Sequence, residues 1–369
     1  MPLIGGAEVI TLTRPAPSDT ATPVFTAAQI LPGRAMMVLQ VRALVPGIGE
    51  TDVLSSRSVE EASRELTGSG PDITGNASFS FGAAILAPYA NRIRGRYDPS
   101  TQTIATDIVV DGARRRVTLP SNGGGKHPGA EQYAIHGLIL NRPADEVRRT
   151  TSAEADIVRA VIRAGDFAGQ WVSATELRFR TTLRTDTFEL SVVATNVGAT
   201  SLPLGIGWHP YFAIPSGRRE QVRVHLPARQ RVLVNNYDEV LPTGQLAPVK
   251  GAMWDCSDPA GATLGTTYLD DCFVDLEKSP EGHTVSTILD PAAAYALRIV
   301  ATSPHVKALQ TYAPPDRPFI VVEPQFNWAN PFGAEWPEGT ETGMVHLSPG
   351  ESVTYSVRLE IFVPSVDVA

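Results

Sequence analysis

At residues 352–362 the chain reads Ser352-Val353-Thr354-Tyr355-Ser356-Val357-Arg358-Leu359-Glu360-Ile361-Phe362. Apolar side chains occupy every second position from Val353 to Ile361, and polar side chains occupy the positions between them. Successive side chains of a β-strand point to opposite faces of the sheet. The alternation therefore predicts a strand with one face in the core and the other in water.

The same period of two recurs along the chain. In Thr187–Thr195 the apolar residues again share one face, and comparable short runs occur at Gln221–Leu226, Arg231–Val234, Ala294–Val300 and Phe319–Val322. Thirty-one glycines and 30 prolines are spread without a period, which favours many short strands and turns. There is no internal repeat of propeller or solenoid length. We predict an all-β fold, a large antiparallel β-sandwich with few short helices and a site on one concave face.

The first 80 or so residues show this pattern less clearly. The best helix candidate in the chain is Val59–Leu66, where Ser58 and Glu61 have the spacing of a capping box. Loop-like stretches surround it at Pro15–Pro23 and Gly68–Gly75. We expect one short helix here and assign no chemistry to this part of the chain.

Composition limits the classes of partner. The chain has 369 residues, and β-sandwiches can reach this size, so we expect a single domain spanning residues 1–369. The formal net charge of −8 argues against a nucleic-acid or anionic-membrane partner, since both reward clustered lysine and arginine. A neutral small molecule fits this charge better. The sequence leaves open whether the protein is a monomer or a homodimer.

The cysteines and the N-terminus point to a reducing compartment. Cys256 and Cys272 are the only cysteines, and the chain has neither a CxxC motif nor a Cys/His array at zinc spacing. We therefore expect no metal site and no disulfide framework. The first residues, Met1–Gly6, lack the basic and apolar regions of a signal peptide, and no segment is apolar enough to span a bilayer. We expect a cytoplasmic protein.

Candidate chemistry is concentrated in five short segments. These are Asn91-Arg92-Ile93, Ile135-His136-Gly137, Trp208-His209-Pro210-Tyr211-Phe212, Leu269-Asp270-Asp271-Cys272-Phe273 and Val322-Glu323-Pro324-Gln325. The third supplies an imidazole and the last a carboxylate, far apart in the sequence, so only the fold can pair them. Together they are the smallest set of groups that moves protons in opposite directions, which indicates acid–base chemistry without a cofactor.

Each segment also has a structural explanation. Arg92 can be a surface charge, His136 beside a glycine can cap a turn, and His209 can be a buried histidine with its hydrogen bonds satisfied. Glu323 is harder to explain in this way. It follows the apolar run Phe319–Val322, and a carboxylate at the end of a buried strand requires a partner or a function.

The five segments, in this order and approximate spacing, resemble the aldose 1-epimerase (galactose mutarotase) family. The resemblance extends from about residue 80 to residue 360 and is supported by Gln310-Thr311-Tyr312. It implies a large galactose mutarotase-like β-sandwich that needs neither metal nor cofactor and acts on a free aldose. Carried over by position, it makes Glu323 the general base and His209 the general acid. The residues it implies for sugar binding are Arg92, His136 and Asp270, with Asn91 and Gln310 as weaker candidates.

The chain departs from the family pattern at two positions. The family usually has histidine after the aspartate, where this chain has Asp271, so either Asp270 or Asp271 could face the sugar, and the spacing to Phe273 favours Asp270. The family often has threonine after the tyrosine, where this chain has Ala313. That substitution removes one possible hydroxyl contact.

The expected activity is the interconversion of the α and β anomers of a free aldose, and three alternatives remain open. A hexose-6-phosphate 1-epimerase would need cations at the rim of the site, such as Arg94, Arg96 and Arg142. A glycoside hydrolase would use Glu323 and Asp270 as paired carboxylates, which the His209 motif argues against. A sugar-binding or sugar-sensing module would have lost catalysis. The sequence does not specify the preferred aldose or the pathway.

Overall fold

The computed structural model describes residues 2–16 and 21–364. Residues 17–20 of the predicted loop Pro15–Pro23, together with Met1 and residues 365–369, lie outside the described residues. Within the described residues the chain forms 30 strands in this order: β1 (Leu3–Ile4), β2 (Ala7–Glu8), β3 (Ile10–Thr13), β4 (Val24–Leu31), β5 (Met37–Val45), β6 (Gly49–Asp52), β7 (Ala83–Leu86), β8 (Arg92–Ile93), β9 (Arg96–Asp98), β10 (Thr103–Val110), β11 (Ala113–Pro120), β12 (Gly123–Gly124), β13 (Gln132–Ile135), β14 (Glu146–Thr151), β15 (Asp156–Gly165), β16 (Thr175–Leu183), β17 (Thr187–Asn196), β18 (Leu202–Leu204), β19 (Gly207–Ala213), β20 (Arg223–His225), β21 (Ala228–Val234), β22 (Pro242–Pro248), β23 (Ala262–Thr263), β24 (Leu269–Leu276), β25 (Thr284–Asp290), β26 (Tyr295–Ala301), β27 (Ala308–Ala313), β28 (Phe319–Gln325), β29 (Val345–Leu347) and β30 (Ser352–Phe362).

Helical structure is scarce. The α-helix α1 spans Val59–Glu65, and short 3₁₀ segments occur at Gly70–Asp72, Asn76–Ser80, Arg219–Gln221 and Pro291–Ala293. At the start of α1 the Ser58 hydroxyl accepts from the Glu61 N–H and the Glu61 carboxylate accepts from the Ser58 N–H. The predicted capping box is therefore confirmed. No helix of the described residues is long and apolar enough to cross a membrane.

Two large antiparallel sheets form the body of the protein. The first sheet has nine strands in the order β14-β15-β16-β17-β30-β26-β25-β20-β23. The second has eleven, in the order β22-β21-β24-β27-β28-β19-β7-β5-β4-β3, with β6 paired to β5. Smaller sheets are formed by β9–β11, by β8 with β12 and β13, by β1 with β2 and by β18 with β29. The predicted all-β fold is confirmed.

The stretch Ser352–Phe362 lies at the centre of the first sheet. β30 has the predicted bounds, Ser352–Phe362, and pairs on one side with β17 and on the other with β26. Leu190 of β17 lies directly opposite Val357 of β30, and both side chains are buried. The alternation along β30 therefore reports the inner and outer faces of this sheet.

One strand begins later in the structure than the sequence predicted. The run Gln221–Leu226 forms a strand only over Arg223–His225, because the chain before it turns in a 3₁₀ segment. The guanidinium of Arg219 holds that turn by donating to the backbone carbonyls of Thr267 and Ala313. A charged side chain that satisfies buried carbonyls overrides the local strand pattern.

The main hydrophobic core is built from residues of both large sheets. It includes Phe188 and Leu359 from the first sheet and Trp208 and Val322 from the second. The rings of Phe188 and Trp208 stack with their centroids 6.3 Å apart. Because side chains alternate along a strand, the neighbours of Trp208 and Val322, namely His209 and Glu323, point to the opposite face of the second sheet.

The first 80 residues contribute strands that the sequence did not predict. β3, β4 and β5 extend the second sheet beyond β7, and Leu12, Ile30 and Val41 join the main core. The α1 helix packs Ala62 and Leu66 into a smaller cluster that contains Phe81. This part of the chain therefore completes the sheet that carries the candidate site.

Candidate active site

Four of the predicted residues form a row across neighbouring strands of the second sheet. Gln310 of β27 lies directly opposite Glu323 of β28. On the other side of β28, the pairs Gly207–Gln325 and Tyr211–Val321 flank His209 and Glu323 and bring them side by side. Asp270 lies on the next strand, β24, and reaches Gln310 through its side chain. All four side chains stand on the face of the sheet opposite the main core.

The closest contact in the row joins the imidazole and the carboxylate. His209 Nε2 lies 3.2 Å from Glu323 Oε1, and the Gln325 side-chain amide donates to Glu323 Oε2 at 2.8 Å. His209 is 6% exposed and Glu323 is 1% exposed. The pair is thus removed from water but open to one side, so a proton can pass between the two groups and a bound molecule.

Asn91 and Arg92 are tied to the same row by hydrogen bonds. Arg92 Nη2 lies 3.1 Å from Asp270 Oδ2, and its Nη1 donates to Asn91 Oδ1 at 3.2 Å. Asn91 Nδ2 donates to Gln310 Oε1 at 2.8 Å, and Gln310 Nε2 donates to Asp270 Oδ1 at 2.8 Å. The four side chains close a ring of hydrogen bonds. Such a ring fixes the orientation of the guanidinium and of the carboxylate.

His136 reaches the site from the turn after β13. Its backbone has a φ of 62°, and its N–H donates to the Asn91 carbonyl at 2.9 Å. The following Gly137 has a φ of 85°, and a Cβ there would lie 2.2 Å from the Ala87 carbonyl oxygen, so only glycine fits. The His136 ring packs edge-on against the His209 ring, with the centroids 5.1 Å apart.

The tautomer of His136 follows from its hydrogen bond. His136 Nδ1 accepts from the backbone N–H of Asn91 at 3.3 Å, so the hydrogen of the neutral ring is on Nε2. The structure therefore offers a donor from His136 toward the space above His209 and Glu323. This arrangement suits a sugar hydroxyl or ring oxygen.

The three side chains also have the composition of a metal site. Ligand atoms of His136, His209 and Glu323 all lie within 4.8 Å of one another. A metal would have to bind His136 through Nε2, because Nδ1 is engaged with Asn91, and Nε2 carries the hydrogen in that tautomer. In this tautomer His136 has no free ring nitrogen to offer a metal ion.

Burial sets the protonation of the central pair. It raises the pKa of Glu323 well above its usual value, against the Gln325 hydrogen bond, and it lowers the pKa of His209 to about 3. Both directions favour the uncharged groups. Burial therefore favours a proton on Glu323 and a neutral ring on His209, whose Nε2 lies 3.2 Å from Glu323 Oε1.

The flanking groups respond to burial in the same way. Burial lowers the pKa of His136 well below its usual value, and the nearby His209 and Arg92 lower it further. Burial also raises the pKa of Asp270, although Arg92 opposes this by favouring the carboxylate. Arg92 is thus the cation on which the charge balance of the site depends.

Asp270 and Asp271 point to opposite faces of β24. Asp270 joins the row, whereas Asp271 Oδ1 accepts from the Tyr237 hydroxyl at 2.9 Å and from Arg231 at 3.3 Å. Ala313 is fully buried in the main core, so a hydroxyl at this position would not face the row. Both departures from the family pattern consequently lie outside the row itself.

One neighbour of the site was missed by the sequence. Phe79, in the 3₁₀ segment Asn76–Ser80, places its ring 4.9 Å from His136 and 5.1 Å from His209, measured between centroids. Nothing in the surrounding sequence marks Phe79 as more than a loop residue. Its position depends on a distant contact, the buried ion pair between Arg34 and Asp72 at 2.8 Å.

That ion pair holds the segment around Phe79. Arg34 Nη2 donates to the Ser78 hydroxyl at 2.8 Å and to the Gly75 carbonyl at 3.0 Å. Asp72 in turn accepts from the backbone N–H groups of Gly68 and Ala77. We call the contacts of Arg34 and Asp72 with residues 68–78 the Arg34 latch. The latch fixes the lip of the site on the Phe79 side.

Surface concavity alone would point elsewhere. A cavity of about 930 Å³ is lined by residues that include His305, Lys307, Phe332, Trp336 and His346, but by none of the seven predicted site residues. The candidate site is recognised instead by its convergent polar groups. The structure brings all seven together: His209, Glu323, Asn91, Arg92, His136, Asp270 and Gln310.

A two-sheet all-β fold with a buried imidazole–carboxylate pair on one outer face defines the general class of this protein. The sequence profile described as aldose 1-epimerase matches residues 60–360. The chain belongs to the aldose 1-epimerase family. The match begins about 20 residues before the resemblance seen in the sequence and so includes the helix α1 and the segment that carries Phe79.

Solved structures of low sequence identity share the fold. A galactose mutarotase-like protein from Clostridium acetobutylicum has a TM-score of 0.70 and 17% identity, covering 96% of this chain and 98% of that protein. The GalM/aldose epimerase homologue from C. elegans has a TM-score of 0.64 and 17% identity over 91% of this chain and 95% of its own. Galactose 1-epimerase from Lactobacillus acidophilus NCFM has a TM-score of 0.62 and 16% identity over 96% and 98%.

Among curated proteins, the chain is similar to the uncharacterized protein YphB of Escherichia coli (strain K12). The two are 28% identical over 185 residues, which is 48% of this chain and 57% of YphB. The chain thus matches little more than half the length of that relative. This similarity specifies neither an activity nor a substrate.

Proposed function

We propose that this protein is a mutarotase, which interconverts the α and β anomers of a free aldose by opening and reclosing the sugar ring. The observation that carries the proposal is the buried contact of 3.2 Å between His209 Nε2 and Glu323 Oε1, facing the ring of polar groups around Arg92. A group that accepts a proton, Glu323, then lies beside a group that donates one, His209. The two can remove one proton and deliver another in the same event.

The proposed reaction begins with Glu323 ionised and His209 protonated. Glu323 takes the proton from the C1 hydroxyl, the bond between C1 and the ring oxygen breaks, and His209 gives its proton to that oxygen. An aldehyde forms at C1 and a hydroxyl at C5. Rotation about the C1–C2 bond presents the other face of the aldehyde, and the two transfers run backward to close the ring. Neither group is consumed.

The ionised pair differs from the uncharged pair by the position of one proton. Burial favours protonated Glu323 and neutral His209. Moving that proton from Glu323 to His209 gives the ionised pair without exchange with solvent. Sugar hydroxyls that donate to the carboxylate stabilise its charged form, so substrate binding favours the transfer.

The remaining predicted residues have positioning roles in this proposal. Arg92, held by Asn91 and Asp270, presents fixed donors near the oxygen that gains negative charge. His136 donates through Nε2 from the opposite side. Asp270 and Gln310 are placed to bind hydroxyls around the sugar ring. The reaction requires no metal or cofactor in this scheme.

The alternatives have weaker support. A phosphorylated hexose would need free cations at the rim, but Arg94 donates to Glu131 through Nε and Nη2 at 2.7 and 2.6 Å, and Arg142 donates to the Ala164 carbonyl. A glycoside hydrolase would need Asp270 free, whereas it is engaged by Arg92 and Gln310. A non-catalytic sugar-binding module would gain nothing from two adjacent buried proton carriers.

Polarimetry tests the proposal directly. Freshly dissolved α-D-glucose and α-D-galactose are followed at neutral pH with and without the protein, with a chelator present throughout. We expect a faster approach to an unchanged final rotation. If neither sugar is accelerated by folded protein, or if the chelator abolishes the effect, the proposed reaction or its metal-free mechanism is wrong.

A further inference from the structure

Aromatic rings form a continuous row from the imidazole of the site toward solvent. The aromatic row consists of Tyr211, Phe319, Tyr312, Tyr268 and Tyr237. The ring of Tyr211 lies 5.0 Å from the ring of His209, measured between centroids. Successive rings of the row are then separated by 5.0, 6.2, 6.3 and 5.5 Å.

The row follows the same face of the second sheet as the polar groups. Tyr312 of β27 lies directly opposite Asp270 of β24, and Tyr268 immediately precedes β24. Phe319 begins β28, the strand that ends near Glu323. The aromatic row therefore runs beside the polar row across the same four strands, β19, β28, β27 and β24.

Exposure rises along the row. Tyr211 is 9% exposed, whereas Tyr268 is 38% and Tyr237 is 48% exposed. Core packing accounts for the inner rings but not for two neighbouring tyrosines that face water. Contiguous exposed aromatic rings beside a polar site are typical of a binding surface.

The outermost ring is held in place before any ligand binds. The hydroxyl of Tyr237 donates to Asp271 Oδ1 at 2.9 Å, and Arg231 holds the same oxygen at 3.3 Å. Tyr237 packs edge-on against Tyr268, with an interplanar angle of 84°. A ring fixed in this way offers a flat apolar surface at little cost in side-chain entropy. The departure Asp271 thus has a structural use here.

We propose that the aromatic row binds the non-reducing units of an oligosaccharide whose reducing-end aldose is held at His209 and Glu323. This inference rests on the proposed mutarotase function. Pyranose rings carry apolar faces of C–H groups that pack on aromatic rings. The exposed rings of the row are uncharged, so they do not require a charged ligand. Units linked through the hydroxyl at C4 leave the sugar on the side away from C1, so the anomeric carbon stays at the acid–base pair.

Comparing glucose with cellobiose tests the inference, because the two share the same reducing-end unit. Mutarotation of both is measured by polarimetry for wild-type protein and Tyr268→Ala. We expect wild-type protein to have the higher kcat/KM for cellobiose, and Tyr268→Ala to lower the ratio of the cellobiose value to the glucose value by about fivefold. The loss should lie in KM rather than in kcat.

Two matched variants isolate the ring. Tyr268→Phe keeps the ring and should keep the ratio of wild-type protein. Val197→Ala changes an exposed apolar residue that follows β17 in the first sheet, outside both the site and the row, and should leave both sugars unaffected. A ratio that falls equally in Tyr268→Ala and Tyr268→Phe would overturn stacking as the cause.

Binding separates failure of this inference from failure of the proposed reaction. Calorimetry on Glu323→Gln should show tighter binding of cellobiose than of glucose, and Tyr268→Ala in that background should remove the difference. Equal binding of the two sugars overturns the inference even when glucose is turned over. If the row is instead an interface with a second copy, Tyr237→Ala and Tyr268→Ala will dissociate a dimer in sedimentation without changing the sugar ratio, which also overturns it.

Discussion

At the scale of single residues, His209 and Glu323 differ from ordinary surface groups because they share a site closed to water. Neither charged form is favoured on its own, yet one proton moved across 3.2 Å produces both charges at once. The coupling explains why a carboxylate at the end of an apolar strand is tolerated. It also means that the two groups titrate as a pair.

Replacing Glu323 by glutamine should abolish turnover and spare sugar binding. The amide keeps an oxygen that accepts from Gln325 and an NH₂ that can donate to His209, but it cannot take a proton. We expect kcat to fall by about 10³-fold or more, with the sugar dissociation constant changed by about twofold or less. Polarimetry and calorimetry measure the two quantities. Glu189→Gln on the first sheet is the matched control, and near-normal turnover in Glu323→Gln would remove Glu323 as the base.

The pH profile of kcat/KM should be a bell whose limbs are assigned in an unusual order. The pair holds one proton between the lowered pKa of His209, about 3, and the raised pKa of Glu323. Below that range the pair gains a second proton, on His209. Above that range the pair loses its remaining proton, from Glu323. We therefore expect the acid limb below the usual histidine range and the alkaline limb above the usual glutamate range.

Polarimetric rates from about pH 2 to about pH 10 check this assignment. An acid limb near the normal histidine pKa would mean that the site is better solvated when sugar is bound than when empty. A profile without an alkaline limb would mean that no proton held by Glu323 is needed.

At the scale of elements, the Arg34 latch connects the N-terminal strands to the lip of the site. Asp72→Asn should leave Arg34 buried without a carboxylate, and breaking one partner of a buried ion pair costs about 3 kcal/mol or more. We expect a lower free energy of unfolding in urea and a higher KM, because the segment that carries Phe79 loses its anchor.

Phe79→Ala separates the two effects. It removes the ring against His136 and His209 but leaves the latch intact, so it should raise KM with a smaller loss of stability than Asp72→Asn. Asp72→Asn with normal KM and normal stability would show that the lip is held by other contacts.

The same scale shows what the sequence could reveal. The period of two in Ser352–Phe362 predicted the bounds of β30, because a strand with one buried face must alternate. The family resemblance carried by the polar motifs predicted the residues of the row. Three motifs lie on β19, β24 and β28 of the second sheet, and two lie on or beside β8 and β13 of a smaller sheet. Phe79 could not be predicted, because its position depends on contacts of Arg34 and Asp72 that no local sequence pattern indicates.

The strands β3 to β5 escaped prediction for a related reason. β5 is buried over most of its length, with only Arg42 exposed, and its apolar residues occupy both faces instead of alternating with polar ones. Such a run does not distinguish a central strand from a buried helix. Its neighbours in the second sheet, β4 and β7, decide the matter.

At the scale of the whole molecule, stability should depend on pH through the buried site. Glu323 has a raised pKa in the folded protein, so the folded state binds the proton more tightly than the unfolded chain. Stability is then lost as pH rises from the unfolded value toward the folded one. His136 and His209 have lowered pKa values, so they reduce stability as pH falls below the usual histidine value. The two ranges overlap between the usual glutamate and histidine pKa values, where the contributions oppose each other.

Urea unfolding at about pH 5 and about pH 9 measures this dependence in wild-type protein and Glu323→Gln. The variant should gain about 1 kcal/mol or more over wild-type protein at the higher pH for each unit by which the pKa of Glu323 is raised. Equal pH dependence in the two proteins would mean that the Glu323 carboxyl ionises as easily when folded as when unfolded.

The two sheets share one continuous core, and we propose on this basis that residues 1–369 fold as a single domain. Residues from the N-terminal strands, such as Leu12, and from the last strand, such as Leu359, belong to the same cluster. Cooperative loss of both sheets in one unfolding transition would support this proposal. Two separate transitions would contradict it.

Trp208 and His209 are adjacent in sequence, yet Trp208 lies in the core and His209 lies in the candidate site. The pleat of β19 thus separates the residues that pack between the two sheets from those that face the site. On the site face of β19, β27 and β28, positions other than His209, Gln310 and Glu323 can be exchanged while the alternate residues keep the sheets joined. The surface around the site can therefore vary while the core that joins the two sheets stays the same.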